Sequence, residues 1–424
     1  MKILLINHYA GSPTHGMEFR PYYLCREWVR AGHEVTIVAA SHSHVRARQP
    51  VLLQNEGQPA ATEAIDGIRY DWYRTPAYVG NGVARVRNIA SFLFQVWRDA
   101  DRLVAMRPDV VIASSTYPMD IWVARHIARR SGAKLVYEVH DLWPLSPIEL
   151  GGMSPRHPFI RVCQAAEDAA YRDADLVVSM LPNVVGHMAD HGLDPKRLAF
   201  VPNGISPEEW KGVGSVLAAP VAEHIARQRA DGKIIVGYAG SHGAPNALNV
   251  LLDAAKLLQG SPIAIVMIGG GHDQALLARR VSTEGIANVA MFPPVPKAQI
   301  PALLAAFDIA YIGWLRTPIY RFGIAPNKLM DYMMAGRAVL HSVEAGNDPV
   351  AESGCGLTVA PEDPSAVAGG LQQLAAMSAS DREAAGARGH RFVLEHHAYP
   401  ALARRFLQAV EAANPLGSTS HAAR

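Results

Sequence analysis

Residues 2–40 read KILLINHYAGSPTHGMEFRPYYLCREWVRAGHEVTIVAA, and the order of patterns within them sets the architecture. The apolar run KILLINH gives way to a turn rich in Gly, Ser and Pro. A helical pattern, PYYLCREWVRAG, and a second β-branched run, EVTIVAA, follow. Strand, helix and strand in that order make a βαβ unit. The basic, apolar start resembles a signal peptide, but the run is short and breaks at Asn7 and His8, so it reads as a first strand.

The alternation continues through DVVIAS, the helix around DIWVARHIARRSG, the strand KLVYEVHD, a helix near Phe159 to Arg172, DLVVSM and LAFVPNGI. This predicts one doubly wound parallel sheet up to about residue 205. Residues 206–233 lose the period and read as a connector. A second βα series then begins with IIVGYAG and runs through IAIVMIGGG, VAMFPPV, DIAYIG and RAVLHS. A final helical stretch is expected from about Asp381 to Ala412, ahead of a frayed tail, NPLGSTSHAAR. The division expected is a first domain over 1–205, a second over 206–394, and a segment over 395–424 that returns to the first. Two such sheets joined by a linker predict a ligand cleft at the carboxyl ends of their strands.

The chain has 424 residues, 49% hydrophobic and 18% charged, with 40 Lys+Arg against 38 Asp+Glu. That length suits two cores, and the formal charge of +2 gives no global field for nucleic acid. Cys25, Cys163 and Cys355 have no metal spacing and cannot all pair, which predicts structural thiols in a reducing compartment. No apolar run is long enough to span a bilayer, so a cytoplasmic protein is expected.

The polar turns after the strands are the candidate site. NHYAGSPTHGMEFR lacks a G-x-G-x-x-G fingerprint, which disfavours NAD, yet Gly16 could bring amides to a phosphate or merely shape the turn. YEVHDLWP places His140 and Asp141 at a strand end, where a histidine is either structural or a partner for a sugar hydroxyl. Glu138 is read as facing the other side of the sheet. In GYAGSHG, the residues Gly240, Ser241 and His242 offer donors, and the Gly-rich turn of MIGGGHDQ repeats the pattern. Finally, FGIAPNKLMDYMMAG over 322–336 predicts a short helix entered through Pro326 and ended by Gly336. Lys328 and Asp331, three apart, form either a surface ion pair or a ligand site.

Together VPNGI, IGGG, FPPV and APNKLMDYMMAGRAV resemble family-4 glycosyltransferases of the GT-B fold, over essentially the whole chain. The likeness is strongest to the bacterial branch that builds O-antigen, capsule and exopolysaccharide. It implies retaining transfer from a nucleotide-sugar, usually UDP-linked, with no cofactor and no bound metal. By position it implies that Asp331 takes the ribose hydroxyls, His140 the donor sugar and the Val295 backbone the base. Gly323, Ile324, Ala325 and Asn327 fall in the loop whose amides meet the diphosphate. The Arg and Lys that usually hold the diphosphate are replaced by Ser241 and Asn246, so Lys328 and Arg321 are expected to supply the charge.

The implied acceptor is a glycan or a polyprenyl-diphosphate-linked sugar. The basic and apolar stretch RVRNIASFLFQVWRDADRLVAMR suits either a core-packed helix or peripheral contact with the inner membrane surface. Two alternatives remain: a UDP-sugar 2-epimerase of the same fold, and a noncatalytic nucleotide-sugar-binding partner subunit.

Overall fold

A computed structural model describes residues 1–51, 60–80, 82–211 and 217–415. The segment expected to fray lies mostly outside them, at 416–424. The chain divides into two compact units, one formed by 1–203 with 399–424 and the other by 204–398.

The sheet of the first unit contains β1 (Lys2–Ile6), β2 (Glu34–Ala40), β3 (Ala60–Ile65), β4 (Ile68–Tyr73), β5 (Val110–Ala113), β6 (Lys134–Val139), β7 (Leu176–Ser179) and β8 (Leu198–Phe200). Their spatial order is β3-β4-β2-β1-β5-β6-β7-β8. The order reverses between β1 and β5, which makes their carboxyl ends the switch point where ligands of such sheets bind. One expectation is corrected here, because β3 runs antiparallel to β4. The hairpin turns through Asp66 at φ 50 and Gly67 at φ 80, a pair suited to a tight turn whose twist matches its strands.

The sheet of the second unit contains β9 (Ile234–Ala239), β10 (Ile263–Ile268), β11 (Val289–Phe292), β12 (Ile309–Gly313), β13 (Ala338–Ser342) and β14 (Gly356–Thr358), in the order β11-β10-β9-β12-β13-β14. Every pairing in it is parallel. Both faces are covered, so its strands are mostly apolar. Along β10, Ile263, Ile265 and Met267 enter one core, while Ala264, Val266 and Ile268 enter the other.

The stretch read as a connector holds a helix, Ala219–Ala230, with Val221 and Ile225 buried. The final helical stretch is two helices, Ala379–His396 in the second unit and Tyr399–Ala412 in the first. The latter packs on Arg20–Arg30: Tyr399 stacks on Tyr23 at 4.7 Å, Phe406 meets Trp28 at 5.1 Å, and Trp28 Nε1 donates to the Ala403 carbonyl at 3.1 Å. Cys25, Cys163 and Cys355 are free and buried. No helix among the described residues is long and apolar enough to cross a membrane.

Candidate functional site

The ends of β1, β5 and β6 gather a buried polar cluster in the first unit. Glu138 and His140 are two residues apart, and positions two apart on an extended chain share a face. They therefore meet, with Glu138 Oε2 3.2 Å from His140 Nε2, which corrects the expectation that they diverge. Arg20 Nε donates to Glu138 Oε1 at 3.0 Å, and its other nitrogens donate to the carbonyls of Pro202 at 2.6 Å and Val201 at 2.9 Å. Ser114 Oγ donates to Glu138 Oε2 at 2.6 Å and lies 2.9 Å from His140 Nε2. The second imidazole nitrogen, Nδ1, is 3.5 Å from Glu18 Oε2.

Charge sets the protonation of this cluster. Burial opposes the cationic form of His140, but Glu138, helped by Glu18, outweighs it and raises the imidazole to about 9. Burial likewise opposes the Glu138 carboxylate, yet Arg20 and then His140 pull it down to about 2. At neutral pH His140 is thus a cation with two N–H donors. It can give a hydrogen bond or a proton but cannot begin as a base.

Gly16 does not cradle an anion through its amide. At φ 96 it closes a small loop, donating its N–H to the Ser12 carbonyl at 2.7 Å and accepting from the Ser12 N–H at 3.1 Å. A cavity of about 410 Å³ lies nearby, lined by Thr14, His15, Arg48, Gln49, Glu63 and Trp72 among others, and none of the cluster residues lines it.

In the second unit the turns after β9 and β10 interlock. The Gly240 N–H donates to Ile268 O at 3.0 Å and the His242 N–H to Gly270 O at 2.8 Å. A Cβ on Gly269 would stand 1.8 Å from the Gly240 oxygen, and one on Gly271 2.6 Å from the His242 oxygen. The glycines are needed for close approach of two main chains. It follows that the amides of Gly240 and His242 hold the turns together and are not the anion donors expected.

What faces this floor is side-chain chemistry. Lys328, on the helix Asn327–Met334, donates from Nζ to the Tyr238 hydroxyl at 3.0 Å and to Asn246 Oδ1. The Tyr238 hydroxyl donates to the Ser241 carbonyl at 2.6 Å, and Asn246 Nδ2 donates to the same carbonyl at 3.0 Å. The four residues form a closed ring of hydrogen bonds with one cation in it. Burial brings the Lys328 ammonium down to about 8. Among the described residues no carboxylate pairs with it. Beside it His242 is buried with both ring nitrogens lacking a partner, and burial, then Lys328, hold its pKa below the usual range.

The loop before the helix is also partly committed. The Gly323 N–H donates to Tyr320 O at 2.9 Å, and the Ile324 N–H to Asn347 Oδ1 at 2.7 Å, so these two amides are engaged within the protein. Ala325 is half-buried and Asn327 exposed at the helix start. Arg321 is exposed, with its guanidinium 4.3 Å from the centre of the Phe322 ring, and is not among the partners of the Lys328 ring. Half-buried Val295 packs against the core formed by the face of Ala264, Val266 and Ile268. Asp331 is not among the hydrogen-bond partners of Lys328. Burial raises it to about 7, opposed by Lys297, which itself pairs with Glu209 at 2.7 Å. The surface ion pair between Lys328 and Asp331 is not formed.

Residues 15–204 match the model of the glycosyl transferase 4-like domain, and residues 233–377 that of glycosyl transferases group 1. An Escherichia coli (strain K12) protein assigned to colanic acid biosynthesis as glycosyl transferase WcaI is 23% identical over 367 residues, covering 82% of this chain and 86% of that protein. Two solved structures share the fold. Anabaena Alr3699/HepE in complex with UDP-glucose has a TM-score of 0.64 at 13% identity, over 97% of this chain and 100% of that one. An E. coli trehalose-6-phosphate structure bound with UDP-2-fluoro glucose has a TM-score of 0.70 at 15% identity, over 98% and 100%.

Proposed function

The chain belongs to the family-4-like glycosyltransferases of the GT-B fold, and from that membership we propose retaining transfer of a sugar from a UDP-linked donor to a glycan or polyprenyl-diphosphate-linked acceptor in cell-surface polysaccharide synthesis. The observation that carries the donor assignment is Lys328, a half-buried ammonium held only by neutral dipoles at the end of β9. A buried cation without a counter-charge is costly, and a diphosphate supplies that charge.

The reading also accounts for the two positions that lack the family's cations. Asn246 stands where a lysine is expected, and its Oδ1 receives the Lys328 ammonium, so a different element brings charge to that place. Lys328 takes the role that the sequence divided between Lys328 and Arg321. As the bond between anomeric carbon and phosphate oxygen lengthens, negative charge grows on the leaving diphosphate, and a fixed ammonium stabilises that state more than the ground state. Asp331 is assigned to the ribose hydroxyls and cationic His140 to the donor sugar. Charge stabilisation by Lys328 leaves no step that requires a metal, so turnover is expected to survive a chelator.

For the acceptor, support comes from the helix Val83–Arg98. It carries no acidic residue, exposes Val83, Val86, Phe94 and Trp97, and adds Arg87 and Arg98 at the surface. That combination favours an anionic lipid surface.

Calorimetric binding of uridine, UMP and UDP tests the donor site. Lys328→Ala should spare uridine and weaken UDP by about 1.5 to 3 kcal/mol, whereas Asp331→Asn should weaken all three by about 1 to 3 kcal/mol. Wild-type affinities for every ligand in both variants would remove the assignment. Release of UDP from UDP-sugars, with and without lipid extract, then separates transfer from noncatalytic binding.

A further inference from the structure

A second polar cluster in the first unit lies on helices that carry none of the candidate site residues above. Glu167 belongs to the helix Pro158–Asp173, His187 to the short helix Val185–Asp190, and His191 follows that helix directly. The two histidines are four apart and leave the same helical face, with ring centroids 4.7 Å apart. One ligand atom from each of the three residues lies within 4.8 Å of the others. Zinc–ligand bonds of about 2.0 to 2.2 Å bring tetrahedral ligand atoms to roughly 3.5 Å of one another, so binding draws the three side chains together by rotation.

Two further observations point to a cation there. Glu167 is 1% exposed, and among the described residues no lysine or arginine pairs with it; its charged-type neighbour is His187 Nε2 at 3.6 Å. Around the three residues stands an orienting set. Tyr171 donates its hydroxyl proton to Glu167 Oε1 at 2.9 Å, and Gln164 Nε2 donates to Glu167 Oε2 at 2.9 Å and to Asp168 Oδ1 at 2.8 Å. Asp168 Oδ1 is in turn 3.0 Å from His191 Nδ1. Outer carboxylates and amides of this kind fix the ligands of metal sites.

We propose that Glu167, His187 and His191 bind a divalent transition-metal ion of the zinc type, which ties the two helices together and takes no part in sugar transfer. Two imidazoles and one carboxylate favour such an ion over Mg²⁺ or Ca²⁺, which take oxygen ligands.

The test uses the full-length untagged chain, stripped of metal and titrated with Zn²⁺ by calorimetry and with Co²⁺ by visible absorption. One equivalent should bind, with the visible bands of four-coordinate Co²⁺, and Zn²⁺ should raise the melting temperature. His187→Gln and His191→Gln should abolish all three effects while keeping the wild-type circular dichroism, and Glu167→Gln should weaken binding by about tenfold or more. Absence of binding to the wild-type chain overturns the proposal. So does unchanged stoichiometry and affinity in both histidine variants, which would place the ion on others of the 18 histidines. Should Glu167→Gln fail to fold, the two histidine variants decide alone.

Discussion

The two strand-end sites differ in how their charges are settled. In the first unit, Arg20, Glu138, His140 and Glu18 alternate in sign and satisfy one another without any ligand. In the second, Lys328 is held by a hydroxyl and an amide oxygen, and the ring nitrogens of His242 have no partner. The first site is closed and rigidly protonated; the second is one anion short. Closure suits a group that must keep its proton in readiness, and incompleteness suits a group that must gain from binding.

The largest expected effect comes from opening the closed site. Glu138→Gln leaves Arg20 buried without its counter-charge, and breaking such a pair costs about 3 to 5 kcal/mol, read from denaturant unfolding. The matching cut in the second unit, Lys328→Met, should leave stability unchanged or raise it, because it removes a desolvated charge that has no counter-charge. Equal losses in the two variants would erase the contrast.

Next in size, His140→Ala should lower turnover by about 100-fold or more while UDP binding stays near wild type, since a fixed donor acts mainly on the charge that develops during transfer. A parallel loss of UDP affinity would assign His140 to the nucleotide.

The smallest effect is a pH response of opposite sign in the two sites. His140 rises from 6.5 to about 9 on folding, so its stabilisation is complete below pH 6.5 and is lost as pH climbs through 9. Lys328 falls from 10.5 to about 8, so its penalty is complete below pH 8 and fades as pH climbs toward 10.5. His140→Gln should flatten the first trend and Lys328→Met the second, in unfolding free energies measured across pH 6 to 10. Near pH 8, UDP binding should also take up protons, seen as a heat that depends on the buffer, and Lys328→Met should abolish that uptake.

Much of the fold was legible because strands buried on both faces and the helices between them leave unmistakable runs. The hairpin of β3 and β4 was not read, although Asp66-Gly67 is a turn signal between alternating residues. The helix Ala219–Ala230 was missed because only Val221 and Ile225 face a core. For the candidate site, the places of His140 after a strand and of Lys328 at a helix entrance were legible in the sequence. The backbone amides were misjudged, because whether Gly240 or Ile324 is engaged depends on packing by Ile268 and Asn347, which sequence spacing does not encode. Arg20 comes from 118 residues away in sequence. Glu138 was different: a correct count of strand parity would have placed it beside His140. The i, i+4 spacing of His187 and His191 was equally visible, but Glu167 comes from another helix.

The helix Tyr399–Ala412 makes the first unit discontinuous in sequence, while 204–398 is one uninterrupted piece. During synthesis the second unit can therefore mature while the first still lacks the partner for Tyr23 and Trp28. Until the last turns leave the ribosome, that aromatic groove stays uncovered and open to chaperones. A premature stop near the end would thus injure the part of the protein that was made first.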